Sequence, residues 1–264
     1  MPDYLTICEA AARAGGRELL EWLGRIHPRE KAPKDLVTEA DLASQRKIRD
    51  ITLEAFPDHA FLGEEDDPQL LHHPSDAEYR WIVDPLDGTT NFVHQMPAFS
   101  VSVALEHKGE IIVGVIFDPI AEECFSATQH GGTHLNGRAI RASCCTSLRE
   151  ALVAASFSAG VDRESEEIKR FLEVLVECQA LRRLGSAALN LAYLACGRLD
   201  GYWATSVKTW DVAAGILMAR EAGALMTNLD GGPVDLASPR FIGAATAELH
   251  GELSSSLARG VSRQ

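Results

Sequence analysis

Trp81-Ile82-Val83-Asp84-Pro85-Leu86-Asp87-Gly88-Thr89-Thr90-Asn91-Phe92 carries more information than any other stretch of this chain. Its apolar start predicts a short buried strand over Trp81-Ile82-Val83 that ends at Asp84. Pro85 fixes the backbone of the turn that follows, and Asp87 comes three residues after Asp84. Both carboxylates can then point to one spot beyond the strand end. Gly88 permits close backbone approach, and Thr89-Thr90-Asn91 can open a helical turn whose N–H groups suit a phosphate. Two carboxylates and an exposed carbonyl suit a hard divalent cation such as Mg²⁺. Phosphate and Mg²⁺ held together point to phosphoryl transfer. The plain alternative is an ordinary turn, because Asp, Pro and Gly each favour turns for local reasons.

Outward from this stretch, periodicity predicts helices over 4–23, from Thr38 to Phe56, over Glu164–Cys178, 187–196, Asp211–Ala222 and 247–258. Thr38-Glu39-Ala40-Asp41 resembles a capping box, Ser186 can cap the helix after it, and Gly197 and Gly223 stand where helices end. Alternation over Phe99–Leu105, a turn at Lys108-Gly109-Glu110, and Ile111–Phe117 predict a hairpin. Further strands are expected near 122–127 and 151–156, and over Leu199–Trp203, Leu225–Thr227 and Phe241–Ala245. Pro28 and Pro33 bracket a basic loop, and Arg259 to Gln264 read as a frayed tail. Antiparallel hairpins come first and mixed α and β later, which predicts α+β layers. Residues 1–150 and 151–264 form two parts of one compact unit, with a soft division near 150.

Composition narrows the function. The 264 residues include 25 Lys plus Arg against 38 Asp plus Glu, a net charge of −13 that repels nucleic acid and anionic lipid over most of the surface. No apolar run approaches the roughly 20 residues of a membrane helix, and the start of the chain lacks the basic flank of a secretory signal. The 6 Cys form no CxxC pair, so they read as free thiols of a reducing compartment, and a cytoplasmic protein without nucleic-acid or membrane partners is expected. Adjacent Cys144 and Cys145 read as buried small residues, and the His residues between 59 and 134, His72-His73 among them, read as surface.

Three further acidic sites are ambiguous alone. Phe61-Leu62-Gly63-Glu64-Glu65 is an apolar stub ending in acid, and Asp41 and Asp211 each fit a helix cap as well as a metal site. Together they form a pattern. Asp35-Leu36-Val37-Thr38-Glu39-Ala40-Asp41, Gly63-Glu64-Glu65, Asp84-Pro85-Leu86-Asp87-Gly88-Thr89-Thr90-Asn91 and Trp210-Asp211 resemble, in order and spacing, the inositol monophosphatase family of Mg²⁺-dependent phosphomonoesterases. Gly185-Ser186-Ala187-Ala188 is similar to that family's substrate-side helix start.

That resemblance implies a layered α-β-α-β-α sandwich, of the type shared with fructose-1,6-bisphosphatase, commonly a homodimer. It implies a first Mg²⁺ on Glu64, Asp84 and the Leu86 carbonyl, and a second on Asp84, Asp87 and Asp211. A third, weaker ion would sit on Glu64 and water. Substrate phosphate would lie on the metals and the N–H groups of Gly88 and Thr89. Asp41 and Thr89 would orient the attacking water, with Glu64 also in the catalytic set. Gly185, Ser186, Ala187 and Arg182 would face the substrate, and lithium sensitivity would follow from replacement of a weakly held Mg²⁺. Gathered in one cleft, five carboxylates would repel one another until cations removed the conflict.

One departure bears on the substrate. Inositol-specific members carry a Glu seven residues before the Asp of Trp-Asp, and Ala204 stands there. A methyl group accepts no hydroxyl hydrogen bond. Histidinol phosphate, fructose 1,6-bisphosphate and a 3′-phosphoadenosine nucleotide therefore stand beside inositol monophosphate as substrates. Trp203 reads as core, Arg183 shares Arg182's substrate-or-surface choice, and Lys31 and Lys34 lie in the loop where the family often carries a metal-side lysine. A non-catalytic regulatory relative is the alternative of another class, but an inactive copy should have lost ligands. A Ca²⁺-binding domain would crowd its ligands into one loop.

Overall fold

The computed structural model describes residues 3–25, 29–32, 35–66, 77–158 and 160–262. In chain order, α1 (Tyr4–Trp22), the ribbon β1 (Arg29–Ala32) and β2 (Asp35–Val37), and α2 (Glu39–Ala55) come first. Then follow β3 (Ala60–Gly63), β4 (Tyr79–Asp87), α3 (Thr89–Val93), β5 (Ser100–His107), β6 (Glu110–Asp118), β7 (Glu123–Thr128), β8 (Gly132–Leu135) and β9 (Arg138–Ile140). The later part holds β10 (Leu152–Ser156), α4 (Glu166–Glu177), β11 (Ala180–Arg182), α5 (Ala187–Ala195), β12 (Gly201–Ala204) and α6 (Thr209–Glu221). It closes with β13 (Leu225–Asn228), β14 (Phe241–Ala244) and α7 (Ala247–Ser262).

Two sheets and three helix pairs stack as α-β-α-β-α. The seven-stranded sheet runs β3 to β9 in sequence order, antiparallel except for the β3–β4 pair. Strand alternation gives it two apolar faces. Trp81, Val83, Val101 and Val103 face α1 and α2, through Cys8, Leu19 and Ile48. Ile82, Ala104, Ile116 and Phe125 face α5 and α6, through Ala188, Leu189, Ala214 and Met218. The opposite sides of α5 and α6, through Leu191, Leu194, Val212 and Ile216, cover the five-stranded sheet of order β11-β10-β12-β14-β13. The far face of that sheet carries Val153, Trp203 and Ile242 against Val174 of α4 and Leu249, Leu253 and Leu257 of α7. Because α5 and α6 bury apolar side chains on both sides, they read as almost continuously apolar, as a central layer must. Each fully buried Leu, Ile or Val adds about 1.5–3 kcal/mol of burial free energy.

Several expectations change. The strand expected over Trp81-Ile82-Val83 is a nine-residue strand that continues through Pro85 to Asp87. The basic loop contains the β1–β2 ribbon, while Pro28, Pro33 and Lys34 lie outside the described residues, as do His72, His73 and the side chain of Lys31. Instead of fraying at Arg259, the chain remains helical to Ser262, because Arg259 Nη2 bonds the Glu177 carboxylate at 2.5 Å. His59 is not a surface residue: its ring stacks between Phe56 and Tyr79 at centroid distances of 4.8 and 4.7 Å. All six cysteines are free thiols, as expected, but Cys144 is exposed and Cys145 only half-buried. Among the described residues no helix is long and apolar enough to cross a membrane.

Candidate active site

The site forms where β3 and β4 end against the starts of α2, α5 and α6. Side chains alternate along a strand, so residues 84 and 87 of a regular strand would face opposite sides of the sheet. The pairing removes that conflict. Asp84 lies opposite Ser102 and Asp87 opposite Ser100, with a register shift between them. Three steps along β4 thus match two along β5, and this bulge returns Asp87 to the face occupied by Asp84. The Ser102 hydroxyl identifies the face by donating to the Trp210 carbonyl of α6 at 3.2 Å. Leu86, between the two acids, packs with the α1–α2 core instead.

Each acid has a local anchor. Asp84 is 2% exposed and accepts the Leu86 N–H at 3.0 Å. Asp87 accepts the N–H groups of Ala187 at 3.1 Å and Ala188 at 2.6 Å, and the Ser186 hydroxyl. Ser186 also caps α5 by accepting the Leu189 N–H at 3.1 Å. Asp211 occupies the first turn of α6 and accepts the Lys208 N–H at 2.8 Å. Glu64 follows β3, its N–H bonded to the Val83 carbonyl at 3.1 Å. The turn after Glu64 depends on Gln45 of α2, which accepts the Glu65 N–H and donates to Asp66, both at 3.0 Å. Arg49 pairs with the same Asp66. A Cβ at Gly63 would stand 2.2 Å from Gln45 Oε1, so a side chain there would push Gln45 out of its bonds to the turn.

On the opposite wall, Asp41 closes the expected capping box, with its Oδ2 accepting from Thr38 N at 2.8 Å and Thr38 Oγ1 at 2.6 Å. Its Oδ1 lies 3.5 Å from Thr89 Oγ1, which also donates to the Leu86 carbonyl at 3.1 Å. Gly88, with φ of +99°, caps α3. Ser44 of α2 donates to the Pro85 carbonyl at 3.0 Å. Asn91 ties together distant segments: its Nδ2 donates to the Ala98 carbonyl at 2.6 Å and the Leu184 carbonyl at 2.8 Å. Gly185, with φ of +87°, passes so close that a Cβ would meet Asn91 Nδ2 at 2.9 Å.

The electrostatics show crowding. Burial, then the charges of Glu64, Asp87 and Asp211, push the Asp84 carboxyl well above the usual range. Asp87 rises to about 6 through burial, opposed by the bonds from Ser186, Ala188 and Ala187. Asp211 is raised to about 8, by burial first and then by Asp87, and lies within hydrogen-bonding reach of Asp84. Part of its surface is open, yet its carboxyl end lies in the crowded pocket. Among the described residues no three Asp, Glu, His or Cys side chains converge into a ready-made metal cage. The acids repel one another but are spread, with Asp87 drawn onto the start of α5. The donor chemistry nevertheless fits a hard cation: every group is an oxygen, several are buried carboxylates, and each makes its neighbours' charge more costly.

A model of the inositol monophosphatase family matches residues 2–262. The chain belongs to that family. It is 39% identical over 232 residues to an inositol-1-monophosphatase of Rhizobium meliloti (strain 1021), covering 86% of each chain. It is 35% identical over 270 residues to Nus factor SuhB of Salmonella typhimurium (strain 14028s / SGSC 2262), covering 98% of this chain and all of the relative. The solved structure of inositol monophosphatase from Anabaena superposes with a TM-score of 0.86 at 38% identity, covering 97% of this chain and 95% of the other. The α-β-α-β-α layering is the fold of this family.

Asp41, Glu64, Asp84, Leu86, Asp87, Gly88, Thr89 and Asp211 thus lie around one strand end. Ser186 and Ala187 reach it differently from the expectation: their hydroxyl and N–H are engaged by Asp87, and Ser186 is 0% exposed. Arg182 lies exposed on β11 and donates to its neighbour's Leu181 carbonyl at 3.1 Å. Arg183 stacks on Phe157 at 4.4 Å. Trp203 is core, and Ala204 is fully buried. Sequence reasoning missed Ser44, Gln45, Asp66 and the bridging role of Asn91. Asn91 lies within the key stretch, but its partners at 98 and 184 carry no local signal.

Proposed function

We propose that this family member is a Mg²⁺-dependent phosphoric monoester hydrolase acting on a small phosphorylated alcohol, an inositol monophosphate or a close relative. The observation that carries the proposal is the β4 bulge, which sets Asp84 and Asp87 on one face, within electrostatic reach of Glu64 and Asp211. Glu64, Asp84 and the Leu86 carbonyl would hold one Mg²⁺, and Asp84, Asp87 and Asp211 a second, with a third ion weakly held on Glu64. Bound Mg²⁺ supplies positive charge for the phosphate and its leaving oxygen and acidifies a water ligand.

The chain's own groups do the rest. Asp41 is held by Thr38, which leaves its Oδ1 directed toward Thr89 Oγ1. That pair would orient the attacking water, with the Asp41 carboxylate as the acceptor of its proton. The N–H groups of Gly88 and Thr89 hold phosphate oxygens at the start of α3. Ser186, Ala187 and Ala188 fix Asp87, while Gly185 lets the chain pass Asn91. Arg182 offers a cation to the alcohol side of the substrate. The protein acts as one compact unit with its division near residue 150, assembles as a homodimer, works in the cytoplasm and is inhibited by Li⁺ at a weakly held cation position.

The test is phosphate release from inositol monophosphates, histidinol phosphate, fructose 1,6-bisphosphate and a 3′-phosphoadenosine nucleotide, with Mg²⁺ and with chelator, ranked by kcat/KM. Release from at least one, lost on chelation, supports the proposal; none from any overturns it. Activity that persists in high millimolar Li⁺ removes the lithium claim alone. One observation favours a second reading, a non-catalytic regulatory role: a relative matched over 98% of this chain bears the name Nus factor. Inactivity across the panel would favour it.

A further inference from the structure

Ser100 of β5 carries a hydroxyl that the chemistry above does not use. The residue is 0% exposed, and among the described residues its Oγ has no hydrogen-bond partner. A buried donor without an acceptor is costly to keep, and one that persists in a native core calls for an explanation. Alanine would fill the same place without that cost.

The strand register shows what the hydroxyl faces. Ser100 lies directly opposite Asp87 across the β4–β5 pair, at the end of the bulge. Directly opposite residues of an antiparallel pair project to the same face, with Cβ atoms about 4.5–5.5 Å apart. Side chains alternate along β5, so Ser100 shares a face with Ser102 and Ala104, and those two mark it as the face toward α5 and α6. The Ser102 hydroxyl is taken up by the Trp210 carbonyl, whereas that of Ser100 is not taken up at all. On the other flank, the pairing of β5 with β6 begins one residue later, at Val101 with Phe117. Asp118, at the end of β6, accepts the N–H groups of Ile120 and Ala121 at 2.9 and 3.0 Å. Asp87 is thus the carboxylate that the pairing sets beside the orphan hydroxyl.

Asp87 is turned to α5 in the structure. Its Oδ2 takes the Ser186 hydroxyl and the Ala188 N–H, and its Oδ1 takes the Ala187 N–H at 3.1 Å. A cation shared with Asp84 and Asp211 needs at least one of these oxygens to face away from α5, so part of that grip must be given up. A buried carboxylate that loses donors is harder to keep ionised. A neutral hydroxyl on the neighbouring strand makes good the loss. Unlike a lysine or arginine, it leaves the full negative charge for the cation.

We propose that Ser100 is a positioning residue for the cation site, a standby donor whose hydroxyl takes up Asp87 when that carboxylate turns from α5 toward a bound cation. This rests on the reading that Asp84, Asp87 and Asp211 bind Mg²⁺. Zero exposure keeps Ser100 from touching substrate, so it acts through Asp87.

The experiment compares Mg²⁺ binding by calorimetry, and thermal unfolding of the metal-free protein, in the wild type and Ser100→Ala. The substitution trims one buried oxygen and leaves the backbone pairing of β5 in place. The Mg²⁺ Kd is expected to rise about two- to tenfold, the equivalent of one hydrogen bond. The metal-free Tm should hold or rise, because the hydroxyl has no partner to lose before the cation arrives. A residue that serves only packing would not divide the two readouts in this way. Unchanged Mg²⁺ affinity in Ser100→Ala overturns the inference. A lowered metal-free Tm, or failure of the variant to fold, also overturns it, since either would assign the hydroxyl to the metal-free fold. A wild type that takes up no Mg²⁺ overturns the cation reading and this inference together, whereas an insensitive variant of a Mg²⁺-binding wild type overturns this inference alone.

Discussion

The end of β4 and the starts of α5 and α6 build opposite sides of one site by different means. On β4, two acids three residues apart are brought onto one face by a bulge set by the pairing of β4 with β5. On the other side, Asp211 and the Ser186 turn sit at helix starts, brought in because α5 and α6 are wedged between the two sheets. The strand end concentrates negative charge, and the helix start disperses part of it, because N–H groups at a helix N-terminus stabilise anions. The comparison teaches that charge density and its compensation come from different layers, so each can be disturbed separately.

The largest effect should come from the strand side. Asp84→Asn removes the acid that faces Glu64, Asp87 and Asp211 together. Phosphate release at saturating Mg²⁺ should fall more than about a thousandfold, as expected when the group organising charge at a reacting centre is lost. Turnover near the wild-type level would refute Asp84's central place. Ser186→Ala tests the helix side, since it deletes both the α5 cap and a donor to Asp87. Mg²⁺ affinity or activity should drop about 10- to 100-fold, the range for losing a group that orients a ligand. An effect as large as that of Asp84→Asn would erase the contrast between the two sides.

The seam between them is weaker. Asn91→Ala leaves the Ala98 and Leu184 carbonyls without their shared donor and should cost about 1–3 kcal/mol in denaturant unfolding. If stability holds, the Asn91 bonds to Ala98 and Leu184 do not hold these segments together. The smallest effect lies far from the acids. His250, bonded through Nε2 to Thr227 Oγ1 at 2.9 Å, has its pKa lowered by burial. A lowered folded pKa means the unfolded chain binds the proton more readily, so this contribution is complete above the unfolded value near 6.5 and declines as pH falls through it. Unfolding midpoints taken from about pH 8 down to about pH 5 should decline less in His250→Asn than in the wild type. Equal declines would show that His250 contributes nothing to the pH dependence.

The same two regions differ in how far the chain alone reveals them. The β5–β6 hairpin could be read directly, because antiparallel neighbours joined by a tight turn are adjacent in sequence. The second sheet could not be assembled this way. Its strand β10 pairs in parallel with β11 and β12, each reached only after an intervening helix. Strands β8, β9 and β11 also escaped, being three or four residues long and weakly apolar. The Thr38–Asp41 capping box and the helix start at Trp210-Asp211 marked Asp41 and Asp211 as helix-start residues but were silent on whether the two belong to one site.

Residue types and their spacing, by themselves, determined the helices, the first hairpins, the family resemblance and the acids worth watching, because periodicity, caps and turns act over a few residues. Folding in three dimensions alone decided that Asp87 shares a face with Asp84, that Ser186 serves Asp87 rather than open solvent, and that Asn91 spans to Leu184. Those outcomes depend on strand register and on helices packed between two sheets, which join residues as many as a hundred positions apart.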